Sequence, residues 1–368
     1  MAKTVSRQPA GVTGKRRRVS PRFMLFGVII AWLTMVAPIT VLSSWLWERP
    51  TMLWTLISLP LAPLAAFGLW RAIQSRNPRI RWPVMQYFGW GAVLLPLIVL
   101  GALLTLWLPE RTVGLTVLAT WLVLGTAGVF AATRIGERHL TFDHHRLDRP
   151  YKLVQLSDVH VGSRSADFLG RAISQALRHQ PDALLITGDL VDASALSAED
   201  LGALADLPCP AYLSLGNHER YIDYEVAIAM IETHGVDILR SRSTTLGRLQ
   251  IIGIDDADHP DHVEGELPAI VLSDSHYRIL LYHRPDGWAA ARTAGIDLML
   301  AGHTHGGQIW PFNYLVRSRF KHLVGLFSED DRHLYVSPGT GCWGPVMRLG
   351  TRAEMTVIDL LPTSVASG

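Results

Sequence analysis

Leu298-Met299-Leu300-Ala301-Gly302-His303-Thr304-His305-Gly306-Gly307-Gln308 decides how the second half of this chain is read. A short apolar run stops at a glycine, and two histidines follow, one residue apart, before two more glycines. Such a run bounded by turn residues reads as a strand buried on both faces. The glycines permit a sharply bent loop. The same arrangement recurs upstream. Asp158-Val159-His160 follows Leu153–Leu156, and Gly188-Asp189-Leu190-Val191-Asp192 follows Ala183–Thr187. Gly216-Asn217-His218-Glu219 follows the run at 211–215, and His283-Arg284-Pro285 follows Ile279–Tyr282.

Helical spacing separates these strands. Apolar residues at 168, 172, 173, 176 and 177, and again at 226, 228, 230 and 231, predict helices over 167–179 and 223–234. Pro181 and Gly235 supply their stops. Leu249–Ile254 is a further strand, and the runs at 333–337 and 354–360, set off by glycine-rich turns, can pair antiparallel. Strand–helix alternation implies an α/β layered fold with a partly parallel sheet. In such sheets ligands bind beyond the carboxyl ends of strands, so all five polar runs belong on one rim.

The chemistry follows from the residue types. Asp158 and His160 are two apart, and in an extended segment they point to the same side. Asp189 has two oxygens and can bridge two ions, while Asn217 offers a neutral carbonyl. Each run alone is weak: a lone Asp-x-His arises by chance, and Gly-Asn-His is most often a turn. The ordered set of five is specific. Mixed nitrogen and oxygen donors suit Mn, Fe or Zn better than magnesium. Asp192 reads either as an acceptor orienting a ligand histidine or as the N-cap of a helix over 193–207. Asp255, Asp256, His259 and His262 read as a solvated loop around Pro260.

Taken together, these runs resemble the calcineurin-like metallophosphoesterase superfamily over 152–361. The 302–308 run, with Pro338-Gly339-Thr340-Gly341 and the stretch 345–350, is most similar to its bacterial membrane-associated branch, some members of which act on a UDP-diacylglucosamine lipid precursor. The resemblance implies a layered sheet sandwich flanked by helices and a phosphoester or pyrophosphate hydrolase. It implies two divalent metal ions, the first held by Asp158, His160, Asp189 and His305. The second is held by Asp189, Asn217, His283 and His303, with Asp189 as the bridge. His218 contacts the phosphate and protonates the leaving oxygen.

The first half is of another kind. The chain has 368 residues and a net charge of only +2, yet 23–47, 51–70, 82–109 and 112–133 carry no charge at all. About 20 apolar residues cross a hydrocarbon core, so an all-α four-helix transmembrane domain is expected over 23–133. Prolines 38, 60, 63 and 96 are tolerable there if neighbouring helices satisfy the freed carbonyls. Seven basic and no acidic residues precede the first window, and four arginines lie between the second and third. That asymmetry places the N-terminus and the second half on the cytoplasmic side of an inner (cell) membrane. The Arg16-Arg17-Arg18 cluster reads as a topogenic flank, since no small-residue cleavage site follows. The expected organisation is a basic tail (1–22), the membrane domain (23–133), a linker (134–150), a catalytic domain (151–361) and a tail (362–368). Cys209 and Cys342 lack metal-ligand spacing.

The expected partners are the lipid bilayer and a phosphorylated or lipid-phosphate substrate, with no nucleic acid. Residues 309–327 mix large apolar groups with Arg317, Arg319 and Lys321, which suits either an interfacial lid or a loop packed on the domain. Rival functions are hydrolysis of soluble nucleotides or phosphoproteins and a non-catalytic membrane sensor or scaffold. Transport is weaker, because the windows hold no central charge.

Overall fold

The computed structural model describes residues 21–75, 77–193, 196–222 and 224–363. The basic cluster at 16–18, Arg76, Asp223 and the last five residues of the tail lie outside it. Among the described residues, four helices are long and apolar enough to cross a membrane: Met24–Leu46, Thr51–Gln74, Pro78–Leu104 and Glu110–Thr133. The first contains a π segment, Trp32–Val36, just before Pro38. Proline cannot donate to the helix ladder, and a widened turn absorbs the mismatch. The third span exploits it, since a Cβ at Gly91 would lie 1.6 Å from the Thr34 carbonyl oxygen. Only glycine allows that approach.

Beyond the spans lie two six-stranded sheets. The strands are β1 (Ile135–His144), β2 (Tyr151–Leu156), β3 (Ala183–Thr187), β4 (Ala211–Ser214), β5 (Val236–Ile238) and β6 (Arg242–Leu246). They continue with β7 (Leu249–Ile254), β8 (Tyr277–Tyr282), β9 (Leu298–Ala301), β10 (Gly325–Glu329), β11 (Arg332–Val336) and β12 (Ala353–Pro362). The first sheet runs β1-β12-β2-β3-β4-β5 and the second β10-β11-β9-β8-β7-β6. β2 through β5 are mutually parallel, as are β7, β8, β9 and β11.

Leu153, Leu185, Ile251, Ile279 and Leu300 fill the space between the sheets. Helix Ala166–Leu177 covers the outer face of the first sheet through Phe168, Leu169 and Ile173. Trp288 and Val263 cover the second. Central strands covered on both faces read as unbroken apolar runs, which is what makes them legible.

Four expectations need correction. The linker expected over 134–150 begins with β1, an edge strand parallel to β12. Its polar residues face outward and only Leu140 and Phe142 are buried, so no strand pattern stands out. β11 pairs antiparallel with β10 but parallel with β9; β12 is antiparallel to β2 and parallel to β1. The helix expected over 193–207 is, among the described residues, a single 3₁₀ stretch, Ala198–Leu204. Asp256 is not in a solvated loop: it is 3 % exposed and pairs with Arg220 and Arg284.

The membrane helices and the sheets are in direct contact. Val93 of the third span packs with Ile309 and Met347. The Arg348 amide donates to the Gly128 carbonyl of the fourth span at 2.9 Å. Gln86 donates to the Val346 carbonyl. The segment at 309–327 is partly helix, Phe312–Arg319, whose start packs on the spans. Phe320 and Leu323 are buried, while Tyr314 and Leu315 are exposed.

Candidate metal centre

Every candidate residue sits just past a strand's carboxyl end. Asp158 and His160 follow β2, Asp189 follows β3, and Asn217 and His218 follow β4. His283 follows β8, and His303 and His305 follow β9. The mutual approach of the two sheets brings all eight together. Three sets of donor atoms lie within 4.8 Å of one another: Asp158, His160 and His305; His160, Asp189 and His218; Asp189, His283 and His303. Asp189 and His160 each belong to two sets. His218 therefore stands as near the donors as they do to one another.

The backbone reaches this arrangement by left-handed turns, not by extension. Asp158 (φ 51°), His160 (56°), Asp189 (51°), His303 (70°) and His305 (50°) all have positive φ. Strand alternation is thus not what aligns Asp158 with His160. Non-glycine residues in this region cost about 1–3 kcal/mol each, so surrounding contacts must hold them. Glu219 supplies several. Fully buried, it accepts from the amides of Gly216 (2.8 Å), Asp189 (3.0 Å) and Val191 (3.0 Å). Arg348, 1 % exposed, donates to the carbonyls of Pro338, Gly339 and Gly341, in the loop that packs against the Asp158 turn. A Cβ at Gly216 would lie 2.2 Å from Asp189 Oδ1, so that turn also requires glycine.

Burial dominates the electrostatics. It raises the Asp158 carboxyl. It would raise Asp189 too, but the facing His283, His218 and His160 hold that carboxyl well below its usual range. Burial opposes charge on His283, yet Asp189 at 3.1 Å lifts it to about 10. His303 and His305 fall well below the ordinary imidazole value through burial and neighbouring positive groups. Burial draws His218 down to about 4. Burial and the Asp189 charge push Glu219 up to about 7.

These residues fit divalent cations. Asn217 Oδ1 is buried with no hydrogen-bond partner. His160 Nε2 faces His305 Nε2 at 3.2 Å, and His303 Nδ1 faces His283 Nε2 at 3.2 Å. Facing imidazole nitrogens need a proton or a cation between them. Among the described residues neither Asp158 nor Asp189 has an arginine or lysine partner; only histidines lie within ion-pair distance.

Asp192 neither caps a helix nor joins a donor set. Its Oδ2 lies 3.5 Å from His160 Nδ1, accepts from Ser163 Oγ at 2.5 Å, and pairs with Arg81 at 2.9 Å. Arg81 belongs to the third span, 111 residues away in sequence. A cavity of about 600 Å³ opens from Asp189, Asn217 and His218 past Arg81 and Trp343 to Ile73 and Gln74, at the end of the second span. Sequence reasoning misses Glu219, Arg81 and Asp256. Asp256 ties Arg284, beside His283, to Arg220, beside His218, and the acidic run at 255–258 is its only signal.

Known phosphoesterases resemble this chain in sequence. Residues 151–307 match the calcineurin-like phosphoesterase profile. An uncharacterised metallophosphoesterase of Campylobacter jejuni is 32 % identical over 224 residues, 58 % of this chain and 60 % of that protein. A Danio rerio transmembrane protein with metallophosphoesterase domain is 31 % identical over 233 residues, 57 % of this chain and 53 % of the relative. The phosphodiesterase YaeI of Escherichia coli is 30 % identical over 239 residues, 58 % of this chain and 83 % of the relative. The match spans less than two thirds of the Campylobacter and Danio proteins.

Proposed function

This chain belongs to the calcineurin-like phosphoesterase family, and we propose that it is a membrane-anchored, two-metal hydrolase of a phosphoester or pyrophosphate bond in a lipid-linked substrate. The observation that carries the reading is the pair of donor sets Asp158–His160–His305 and Asp189–His283–His303, linked by the 3.8 Å approach of His160 to Asp189, at the head of the 600 Å³ cavity. Asp158, His160, Asp189 and His305 would hold one ion, and Asp189, Asn217, His283 and His303 the other. Two bound cations would supply Lewis-acid clamping of the phosphate and stabilise the departing oxygen. Mn, Fe and Zn all suit the donor set.

The protein's own groups complete the chemistry. His218 has its ring 16 % exposed toward the cavity, against 0 % for His160 and His283. It can meet the phosphate and donate to the leaving oxygen. Burial opposes its protonation, and the negative charge of an entering phosphate favours it. Asp192, 3.5 Å from His160 Nδ1, is placed to orient that ring, and Glu219 fixes the Asp189 turn.

The lipid-linked class is favoured by the cavity's course. It runs from the donors to the end of a membrane span, so an amphiphile can keep its apolar part near the bilayer. Exposed Tyr314 and Leu315, with Arg317 and Arg319 on the same helix, suit contact with the interface. The charge asymmetry favours a multi-pass inner-membrane protein with its catalytic domain cytoplasmic. The test is metal analysis and a substrate screen on the detergent-purified protein. We expect two ions per chain and preference for lipid phosphates over nucleotides and phosphopeptides, both lost in Asp189→Asn. Unchanged metal content in that variant, or equal turnover of soluble nucleotides, would overturn the reading.

A further inference from the structure

A second cavity, of about 500 Å³, lies where the start of the third span meets the catalytic domain. No donor of the metal cluster lines it. Its wall carries Arg79, Arg81, Arg164 and Arg171, with Trp82 and Met85 from the span, and among the described residues no carboxylate. Arg81 is already neutralised by Asp192.

Arg164 differs. It is 6 % exposed, its Nε is buried without a hydrogen-bond partner, and among the described residues no carboxylate lies within ion-pair distance. Its guanidinium stacks over the Phe168 ring at 3.7 Å, and Arg171 stands 5.6 Å from the same ring. The charged groups that bear on it are Arg171 and Arg348, both of like sign. A guanidinium withdrawn from water without an anion is strongly disfavoured, and the stacking interaction offsets only part of that cost.

We propose that this cavity binds the phosphate of an anionic phospholipid headgroup, held by Arg164, Arg171 and Arg79. The inference rests on the reading of the four helices as spans. The cavity's level favours a lipid: it abuts the first turn of a span, and Trp82 beside it is 57 % exposed, as an interfacial tryptophan is. Basic pockets at that level recognise anionic headgroups, while Met85 and Val346 offer an apolar wall for the glycerol backbone. Arg81 lines both cavities, so the lipid would sit beside the arginine that holds Asp192 against His160.

The full-length protein, reconstituted in nanodiscs of phosphatidylcholine with or without phosphatidylglycerol, provides the test. Native mass spectrometry should show selective retention of phosphatidylglycerol, and the thermal midpoint should rise with it. Arg164→Gln should weaken retention about tenfold and abolish the thermal gain. In neutral discs its metal content and hydrolysis of bis(p-nitrophenyl) phosphate should match wild type. Should Arg164→Gln not fold, the rim variant Arg79→Gln should still lose about fivefold. Equal retention by wild type and the folded variant would overturn the site. So would full recovery of the thermal gain by inorganic phosphate in neutral discs, or turnover of the retained phosphatidylglycerol. Selective retention in a protein that neither holds metal nor cleaves the diester would uphold the lipid site and refute the hydrolase reading alone.

Discussion

The two sheets bring different things to the centre. β2, β3 and β4 end in Asp158, Asp189 and Asn217, all the oxygen donors, together with His160. β8 and β9 end in His283, His303 and His305, imidazole only. The first sheet therefore brings two buried carboxylates, Asp158 and Asp189, that no lysine or arginine among the described residues offsets. The second offers groups that burial tends to keep neutral, except where Asp189 draws a proton to His283. Neither half is a binding site alone. On the proposed ligand set, cation binding would depend on the sheets being packed, and the hydrophobic layer between them would be part of the metal chemistry.

Perturbing the oxygen side should break this comparison most severely. Asp189→Asn removes the carboxylate shared by two donor sets, and hydrolysis should fall by roughly three orders of magnitude or more, as expected for losing several kcal/mol of charge stabilisation. Elemental analysis should show the paired metal content gone. On the same sheet, past β4, His218→Ala should lower kcat by about 10²–10⁴-fold with both ions retained. The loss should be larger for substrates with poor leaving groups, and full activity on those would exclude the acid role.

A smaller effect sharpens the contrast from outside both sheets. Arg81→Gln should weaken metal affinity about 10–100-fold, since Asp192 then holds the His160 ring less firmly. Added metal should restore activity, and Arg81→Gln with Asp192→Asn should be less than additive. Metal titration followed by activity separates this from misfolding. The smallest expected effect concerns the exposed helix. Leu315→Asp, or charge reversal at Arg317 and Arg319, should slow hydrolysis of a liposomal substrate about tenfold or less. A soluble diester should be cleaved at the wild-type rate, and equal loss on both would remove the interfacial role.

What is legible in the sequence follows the same division. The central strands are covered on both faces, so their apolar runs stand out, and the polar residues at their ends fall on one rim. Edge strands with outward polar residues leave no such trace, as β1 and β10 show. The left-handed backbone of Asp158, His160 and Asp189 is invisible to pattern reading, because contacts such as those of Glu219 hold it. Asp192 reads two ways in sequence, and the deciding partner, Arg81, borders a segment legible only for its hydropathy. Long-range ion pairs have no periodicity to reveal them.

One join has a mechanical consequence. The fourth span ends at Thr133, Arg134 follows, and β1 begins at Ile135, paired along its whole length to β12. No pliable leash separates bilayer from enzyme. With Arg348 also bonded to Gly128, the centre is mounted at a set working height and angle above the membrane. For a lipid-linked substrate of the kind proposed, a scissile bond riding at that level would meet the centre repeatedly by lateral diffusion, and bonds that protrude much farther would be out of reach.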